Sequence, residues 1–297
     1  MQAFVKRDDE LGFGISGSKL RKYASLLPFL QKQNKPVAIV GSCYSNHVLS
    51  LTQLVKERGI PYRLFLKQPS QKTSPTGNYF FLSLLTQKEE ITLLPSLPKI
   101  LTSPWIEEQE KKAGQKFLWI PPGAFMEESF PGALTLSLDL SSHPFDHLFV
   151  EAGTGLMAAS LILGLHFLQK KSTVHVVCLA DSLEAFEHNL ILCHGWMEKF
   201  TKKSLSKPSC YRLLLPATAK SFGSCNQTVF REILHTAKEE GIFVDPLYTA
   251  KLFLTARAQI KALNLSKTLL IHSGGSLALS GFQEALSQKN FTDLYDK

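Results

Sequence analysis

The sequence has no Cys-x-x-Cys pair, no apolar leader, no long unbroken hydrophobic run and no concentrated block of basic residues. Each absence closes a class. The five cysteines, Cys43, Cys178, Cys193, Cys210 and Cys225, are odd in number and widely spaced, and they read as free thiols of a reducing compartment. The opening MQAFVKRDDE is charged from Lys6 onward, which does not suit the apolar segment of a secretory signal. The longest apolar stretch, Leu156 to Leu168, is broken by Ser160 and His166 and is too short to span a bilayer. The net charge of +8 is spread over scattered pairs such as Lys111-Lys112, Lys170-Lys171 and Lys202-Lys203. Scattered pairs make a solvated basic surface, not a nucleic-acid arm, although they suit anionic ligands. The expectation is a cytoplasmic protein with no nucleic-acid or membrane partner.

What is present is ordinary globular material. The 297 residues are 44% hydrophobic and 20% charged, enough for one large domain or two of ordinary size. Short β-branched runs alternate with helical patterns. PVAIV at 36–40 precedes a helical pattern over 46–58. YRLFL at 62–66 precedes one over 77–87. ITLL at 91–94 and FLWI at 117–120 follow. HLFV at 147–150 enters a long apolar helix over 156–169, and TVHVVCL at 173–179 is a buried strand. Helical patterns over 228–240 and 251–263 lead to TLLI at 268–271. Alternation of this kind predicts β-α-β units, parallel sheets and an α/β fold. In open α/β sheets, ligands bind beyond the carboxyl ends of strands, so the turns after these strands are where chemistry is sought.

Four segments qualify. Ser16-Gly17-Ser18-Lys19-Leu20-Arg21-Lys22 places two lysines three apart on one helix face near its start, where the helix dipole lowers a lysine's proton affinity and favours anions. A neutral lysine can condense with an aldehyde. Gly41-Ser42-Cys43-Tyr44-Ser45-Asn46-His47 joins a strand to a helix and carries more polar side chains than capping needs. Glu151-Ala152-Gly153-Thr154-Gly155 is a strand-to-helix turn whose amides can cradle a phosphate. Asp245-Pro246-Leu247-Tyr248-Thr249 and His272-Ser273-Gly274-Gly275 form the fourth, paired, segment. His143 with His147, and His188 with His194, do not have convincing metal-ligand spacing, and no metal is expected.

Together these segments resemble the 1-aminocyclopropane-1-carboxylate deaminase/D-cysteine desulfhydrase family of tryptophan synthase β-like pyridoxal phosphate enzymes. The likeness runs from Val5-Lys6-Arg7-Asp8-Asp9 through SGSKLRK, GSCYSNH, Pro122-Gly123, GTG, DPLYT and HSGG, in the family's order and over nearly the whole chain. It implies a two-domain type II fold with open parallel sheets flanked by helices. The smaller domain would be 34–139, the larger 1–33 with 140–297, and the site would lie in the cleft between them. It implies pyridoxal 5'-phosphate on Lys19, with Lys22 and the Gly153-Thr154-Gly155 turn at its phosphate. Asn46 would meet the ring's 3-oxygen, Thr249 the pyridine nitrogen, and Ser273 and Gly274 the ring. Ser45 would face the substrate carboxylate, and Tyr248 would line the reacting face.

The resemblance also implies a homodimer and a small amino-acid substrate. At the position of Thr249 the family's cyclopropane deaminases carry glutamate and its desulfhydrases threonine. A neutral hydroxyl supports a protonated pyridine less than a carboxylate does, which suits loss of a good leaving group. The expected reaction is α,β-elimination, D-cysteine giving pyruvate, sulfide and ammonia. The alternatives are a cyclopropane deaminase, a D-serine dehydratase-like enzyme, or a non-catalytic cofactor-binding homologue. Leu156 and Met157 depart from the small or hydroxylated residues usual after the glycine turn. Phe222 stands where a pocket tyrosine is common. His47 is given no role.

Overall fold

The computed structural model describes residues 3–12, 17–69, 74–98 and 100–290; Ser16, which opens the lysine motif, lies outside them. Among the described residues there are nine strands: β1 Ala3–Arg7, β2 Val37–Ser42, β3 Tyr62–Lys67, β4 Ile91–Leu94, β5 Leu118–Ile120, β6 His147–Ala152, β7 Thr173–Cys178, β8 Tyr211–Leu214 and β9 Thr268–His272. Among the described residues the α-helices are α1 Lys19–Gln31, α2 Asn46–Glu57, α3 Gly77–Leu85, α4 Ser103–Ala113, α5 Phe130–Ala133, α6 Thr135–Leu140, α7 Leu156–Phe167, α8 Leu183–Thr201, α9 Gln227–Glu240, α10 Thr249–Leu263 and α11 Gln283–Asn290.

The strands form two sheets. One has the order β4-β3-β2-β5, the other β1-β9-β6-β7-β8, and every pairing is parallel. Parallel sheets need both faces covered, which is why β2, β7 and β9 are buried almost throughout and read as continuous apolar runs instead of alternating ones. The helix α7 is apolar all round for the same reason: nine of its residues are buried, between β6, α6 and α8. By contrast α9 is amphipathic and buries Val229, Ile233 and Thr236 while its other face meets solvent.

Each sheet has its own core. Val37, Ile39, Leu64 and Leu66 share one with Val48, Leu51 and Val55 of α2 and with Tyr23, Leu26 and Leu30 of α1. Leu148, Val150, Val174 and Val176 share another with α7, α8 and the Phe130–Leu140 segment. On the opposite face of the larger sheet, Phe149, Val177 and Leu270 meet α9 and α10. The turns after β2, β6 and β9 follow the carboxyl ends of strands, where the binding rule for open α/β sheets directs attention.

Several elements were not marked by the sequence pattern, namely β1, β8, α4, α5, α6, α8 and α11. The segment Leu183–Thr201, left without an element by its hydrophobic pattern, is the helix α8. Ala3–Arg7 is a strand, pairing Ala3 through Arg7 with Thr268 through His272. Among the described residues no helix is long and apolar enough to cross a membrane.

Candidate active site

The entry to α1 is built first, because everything else meets it. Gly17 takes φ +50°, and a Cβ there would lie 2.2 Å from the Ser273 carbonyl oxygen. Only glycine allows this approach. The approach lets the Ser18 amide donate to the Ser273 carbonyl at 2.9 Å. The start of α1, with Lys19, is thereby fixed to the turn after β9.

Lys19 is half-buried and Lys22, one turn on, is buried. Burial lowers the proton affinity of Lys19, against the pull of Glu151 and Asp245. For Lys22, burial and the neighbouring Lys19 charge together bring the pKa down to about 7. Its ammonium donates to the Gly123 carbonyl at 3.2 Å. Gly123 also lies against Thr154, whose Oγ1 would be 2.5 Å from any Cβ at that position. Lys22, Gly123 and Thr154 therefore converge, although they lie on α1, the turn after β5 and the turn after β6.

That last turn has the expected form. Gly155 takes φ +87° at the N-cap of α7, with no side-chain cap of its own. The first amides of α7 thus have no partner from a capping side chain, the situation that makes a helix start receptive to an anion. The Thr154 carbonyl accepts from Asn189 Nδ2 at 3.1 Å, which ties the turn to α8. Leu156 is buried, and neither it nor Met157 brings a hydroxyl.

At the start of α2, Ser45 Oγ is the N-cap and accepts from the His47 and Val48 amides. Its O–H is left to donate. Asn46 Oδ1 accepts from Asn78 Nδ2 at 2.5 Å, and the other Asn78 bond goes to the Tyr44 carbonyl at 3.0 Å. Asn78, 2% exposed, was not singled out by the sequence. It orients the Asn46 amide so that Nδ2 is the group left to donate. His47 Nδ1 bonds the Tyr23 hydroxyl at 2.9 Å, while its Nε2 is buried without a hydrogen-bond partner. Burial, with Lys22 and Lys19 adding to it, pushes His47 down to about 3, so the ring is neutral.

The DPLYT segment is organised by Asp245. Its Oδ1 accepts from the Leu247 and Tyr248 amides at 2.8 and 2.9 Å, and its Oδ2 from the Thr249 amide and hydroxyl at 2.9 and 2.8 Å. The Asp245 amide in turn donates to Thr249 Oγ1 at 2.7 Å. Thr249 is fully buried, and its hydroxyl is engaged on both sides by Asp245. The Tyr248 ring lies 3.3 Å from where a Gly153 Cβ would be, so this turn is shaped around it. Burial, then Asp245 and Glu151, raise the Tyr248 phenol. Phe222 is largely exposed, with its ring 6.1 Å from that of Tyr248. Its loop is held by buried Lys251, whose Nζ donates to the Ala219 carbonyl at 2.8 Å.

One participant was passed over by the sequence reading. Glu151 was quoted as the opening residue of the glycine turn and given no role. It sits near the end of β6, beside Ser273, with its Oε2 sealed and unpartnered. Burial raises its pKa to about 7, against Ser273 and Lys19. A charged residue ending a buried strand was the available signal. His272 is buried in the turn after β9, where its Nδ1 accepts from the Gly274 amide at 3.2 Å, and among the described residues no three His, Cys, Asp or Glu side chains gather as a metal centre.

No protein-family profile matches the chain. A protein of Pyrococcus horikoshii, provisionally named 1-aminocyclopropane-1-carboxylate deaminase, is 29% identical over 92% of this chain and 84% of its own. D-cysteine desulfhydrase of Yersinia enterocolitica is 25% identical over 95% of this chain and 88% of its own. Among solved structures, an ACC deaminase homologue superposes with a TM-score of 0.82 at 24% identity, over 96% of this chain and 87% of that one. The chain is a homologue of proteins named 1-aminocyclopropane-1-carboxylate deaminase and D-cysteine desulfhydrase, built on the fold of the type II pyridoxal phosphate enzymes.

Proposed function

We propose that the protein is a pyridoxal phosphate-dependent lyase that carries out α,β-elimination on a small amino acid, with D-cysteine giving pyruvate, sulfide and ammonia. The observation that carries the reading is the pair of enclosed lysines on one turn of α1, with Lys22 directed at the Gly123–Thr154 junction beside an uncapped helix start. The donor set fits the cofactor. Lys22 has a carbonyl for a partner, and a buried cation with no carboxylate bonded to it is completed by a phosphate. Lys19, with its lowered proton affinity, suits attachment to an aldehyde.

When bound, the cofactor supplies an electron sink for negative charge at the substrate's α-carbon and so permits loss of a β-substituent. The remaining work falls to the chain. Lys22, Thr154 and the Gly153 and Gly155 amides hold the phosphate. Asn46 Nδ2, aimed by Asn78, donates to the ring's 3-oxygen. Thr249 meets the pyridine nitrogen as a neutral partner, and Ser273 and Gly274 support the ring. The Ser45 hydroxyl, its lone pairs used in capping, donates to the substrate carboxylate. Lys19 takes the α-proton at Nζ, and Tyr248 closes the reacting face against water. Thr249 offers the pyridine nitrogen a neutral hydroxyl oxygen where a carboxylate would strengthen the electron sink, which favours a thiolate as leaving group.

A second reading, a cofactor-binding homologue without turnover, is favoured by Leu156 and Met157, which remove hydroxyls from the start of α7. The same reading of the chain carries a cytoplasmic homodimer, with domains of 34–139 and of 1–33 with 140–297. The test is incubation with pyridoxal phosphate followed by sulfide release from D-cysteine, with L-cysteine, D-serine and 1-aminocyclopropane-1-carboxylate as comparisons. A visible lysine-bound cofactor band that is absent in Lys19→Ala, with sulfide release fastest from D-cysteine, is expected. No band in the wild type refutes the site. A band without turnover of any of the four leaves the second reading.

A further inference from the structure

His272 ends β9 and is completely buried, so both ring nitrogens must find partners inside the protein. They do. The Gly274 amide donates to Nδ1 at 3.2 Å, and Nε2 donates to the Phe243 carbonyl at 3.0 Å. A backbone N–H can only donate and a carbonyl can only accept. The ring is therefore neutral and carries its proton on Nε2. Asp9 Oδ2 stands 3.8 Å from Nε2, but both Asp9 oxygens already accept from Arg7, at 2.8 and 2.7 Å, which weakens any pull on a second proton. Burial lowers the proton affinity of the ring despite Asp9.

The ring joins two segments that flank the site. Gly274 takes φ +96°, and a Cβ there would lie 3.0 Å from the Gly17 Cα, two residues before Lys19. Phe243 stands two residues before Asp245, whose carboxylate organises Tyr248 and Thr249. The Phe243 carbonyl also accepts from Ser276 Oγ at 2.9 Å, so the same two segments are tied twice. Phe253 of α10 meets the imidazole nearly edge to face, with centroids 6.1 Å apart, and restrains its plane.

We propose that His272 is a positioning residue for the cofactor ring: its neutral imidazole spans the gap between the Gly274 turn and the approach to Asp245, and fixes these two walls relative to each other. The proposal rests on Gly274 and Thr249 being the residues at the ring. Histidine suits the task because a neutral imidazole holds one acceptor and one donor on a rigid frame, directed at different segments. The amide of Asn or Gln has both kinds of group at the same end of a flexible chain, so it reaches one partner or the other. Without the imidazole, Gly274 is free to shift against Gly17 and the walls part. The phosphate end is insulated from this change, because Lys22, Gly123 and Thr154 are held by other contacts.

The test measures binding of pyridoxal phosphate and of inorganic phosphate to the cofactor-free full-length protein, in wild type, His272→Phe and His272→Asn. Phenylalanine keeps a buried ring and removes both bonds. It is expected to weaken pyridoxal phosphate roughly tenfold and to leave inorganic phosphate within about twofold of wild type. His272→Asn restores an acceptor for the Gly274 amide, since an asparagine side chain readily accepts from the amide two residues on, and is expected to recover part of the affinity. Equal pyridoxal phosphate affinities in wild type and His272→Phe overturn the proposal. An equal loss for both ligands overturns it too, because that marks a general loosening of the fold. A second measurement needs no variant: NMR of the isotope-labelled wild type near neutral pH is expected to show His272 as the neutral Nε2–H form, and an imidazolium or an Nδ1–H form overturns the proposal. No pyridoxal phosphate binding in the wild type refutes the reading of the site and the proposal with it, a failure distinct from binding that His272→Phe leaves untouched.

Discussion

Replacing Lys22 with methionine is expected to make the cofactor-free protein more stable and less able to take up an anion. Lys22 is buried, and its pKa falls from 10.5 to about 7. A drop of that size corresponds to roughly 5 kcal/mol of cost in burying the charged form, as an upper bound. The sign follows from where the proton is bound. Between pH 7 and 10.5 the unfolded chain holds the lysine proton and the folded chain has released it, so stability rises with pH across this window. Below about 7 the full cost is present. The slope from one such proton is at most about 1.4 kcal/mol per pH unit. Methionine keeps the length and the apolar stem and has nothing to titrate.

Thermal unfolding from about pH 7 to pH 10 should therefore rise more steeply in the wild type than in Lys22→Met. For a chain of this size the difference amounts to roughly 2–4 °C per pH unit. Lys19 contributes with the same sign to both proteins, and loss of the Lys22 charge beside it can only flatten the slope of the variant further. Added inorganic phosphate should raise the wild-type midpoint by preferential binding to the folded state and leave the variant unmoved. Parallel pH slopes in the two proteins, or equal stabilisation by phosphate, would refute the reasoning that Lys22 is a buried cation held for an anion.

Two further outcomes can be measured. Asp245→Ala strips acceptors from three backbone amides and the Thr249 hydroxyl, and is expected to cost roughly 2–4 kcal/mol in urea unfolding; a loss below about 0.5 kcal/mol would mean that this turn holds without it. His47 is pushed down to about 3, so the folded state resists a proton that the unfolded state accepts near 6.5, and stability is lost as pH falls through that window. His47→Gln should flatten the acid limb of the stability curve. Glu151 titrates with the opposite sign, from about 7 toward 4.5, but equally in both proteins.

The sequence reading is strongest where one physical signal dominates. The runs at 37–41, 173–178 and 268–272 are strands because β-branched and aliphatic residues fill both faces of parallel sheets. It failed at α8, whose buried Phe186, Leu190, Cys193 and Met197 do have helical spacing, because exposed Ile191, Leu192 and Phe200 blur the stripe. It failed at β1, whose sequence AFVKR is only partly buried at a sheet edge and ends in charges. Within the site, the turns were legible because glycine, serine and lysine after a strand have few other uses. What holds those turns was not. Asn78 aims Asn46 from another helix, Glu151 is buried with an unpartnered oxygen, and Arg21 joins Asp8 at 2.6 Å and Asp139 at 2.6 Å. Such partners are set by tertiary approach, and local spacing does not encode them.

The pairing of β1 with β9 has a consequence for how the protein is made. Ala3 stands opposite Thr268, and the Lys19 segment docks on Ser273. During synthesis at about 5–20 residues per second, β1 and Lys19 are made early and then wait roughly 15–60 s for the strand that receives them. Through that interval the ribosome-bound chain carries a lysine without its enclosing walls and a strand edge without its neighbour. The site therefore cannot mature progressively. It closes only once β9 and the turn after it are in place.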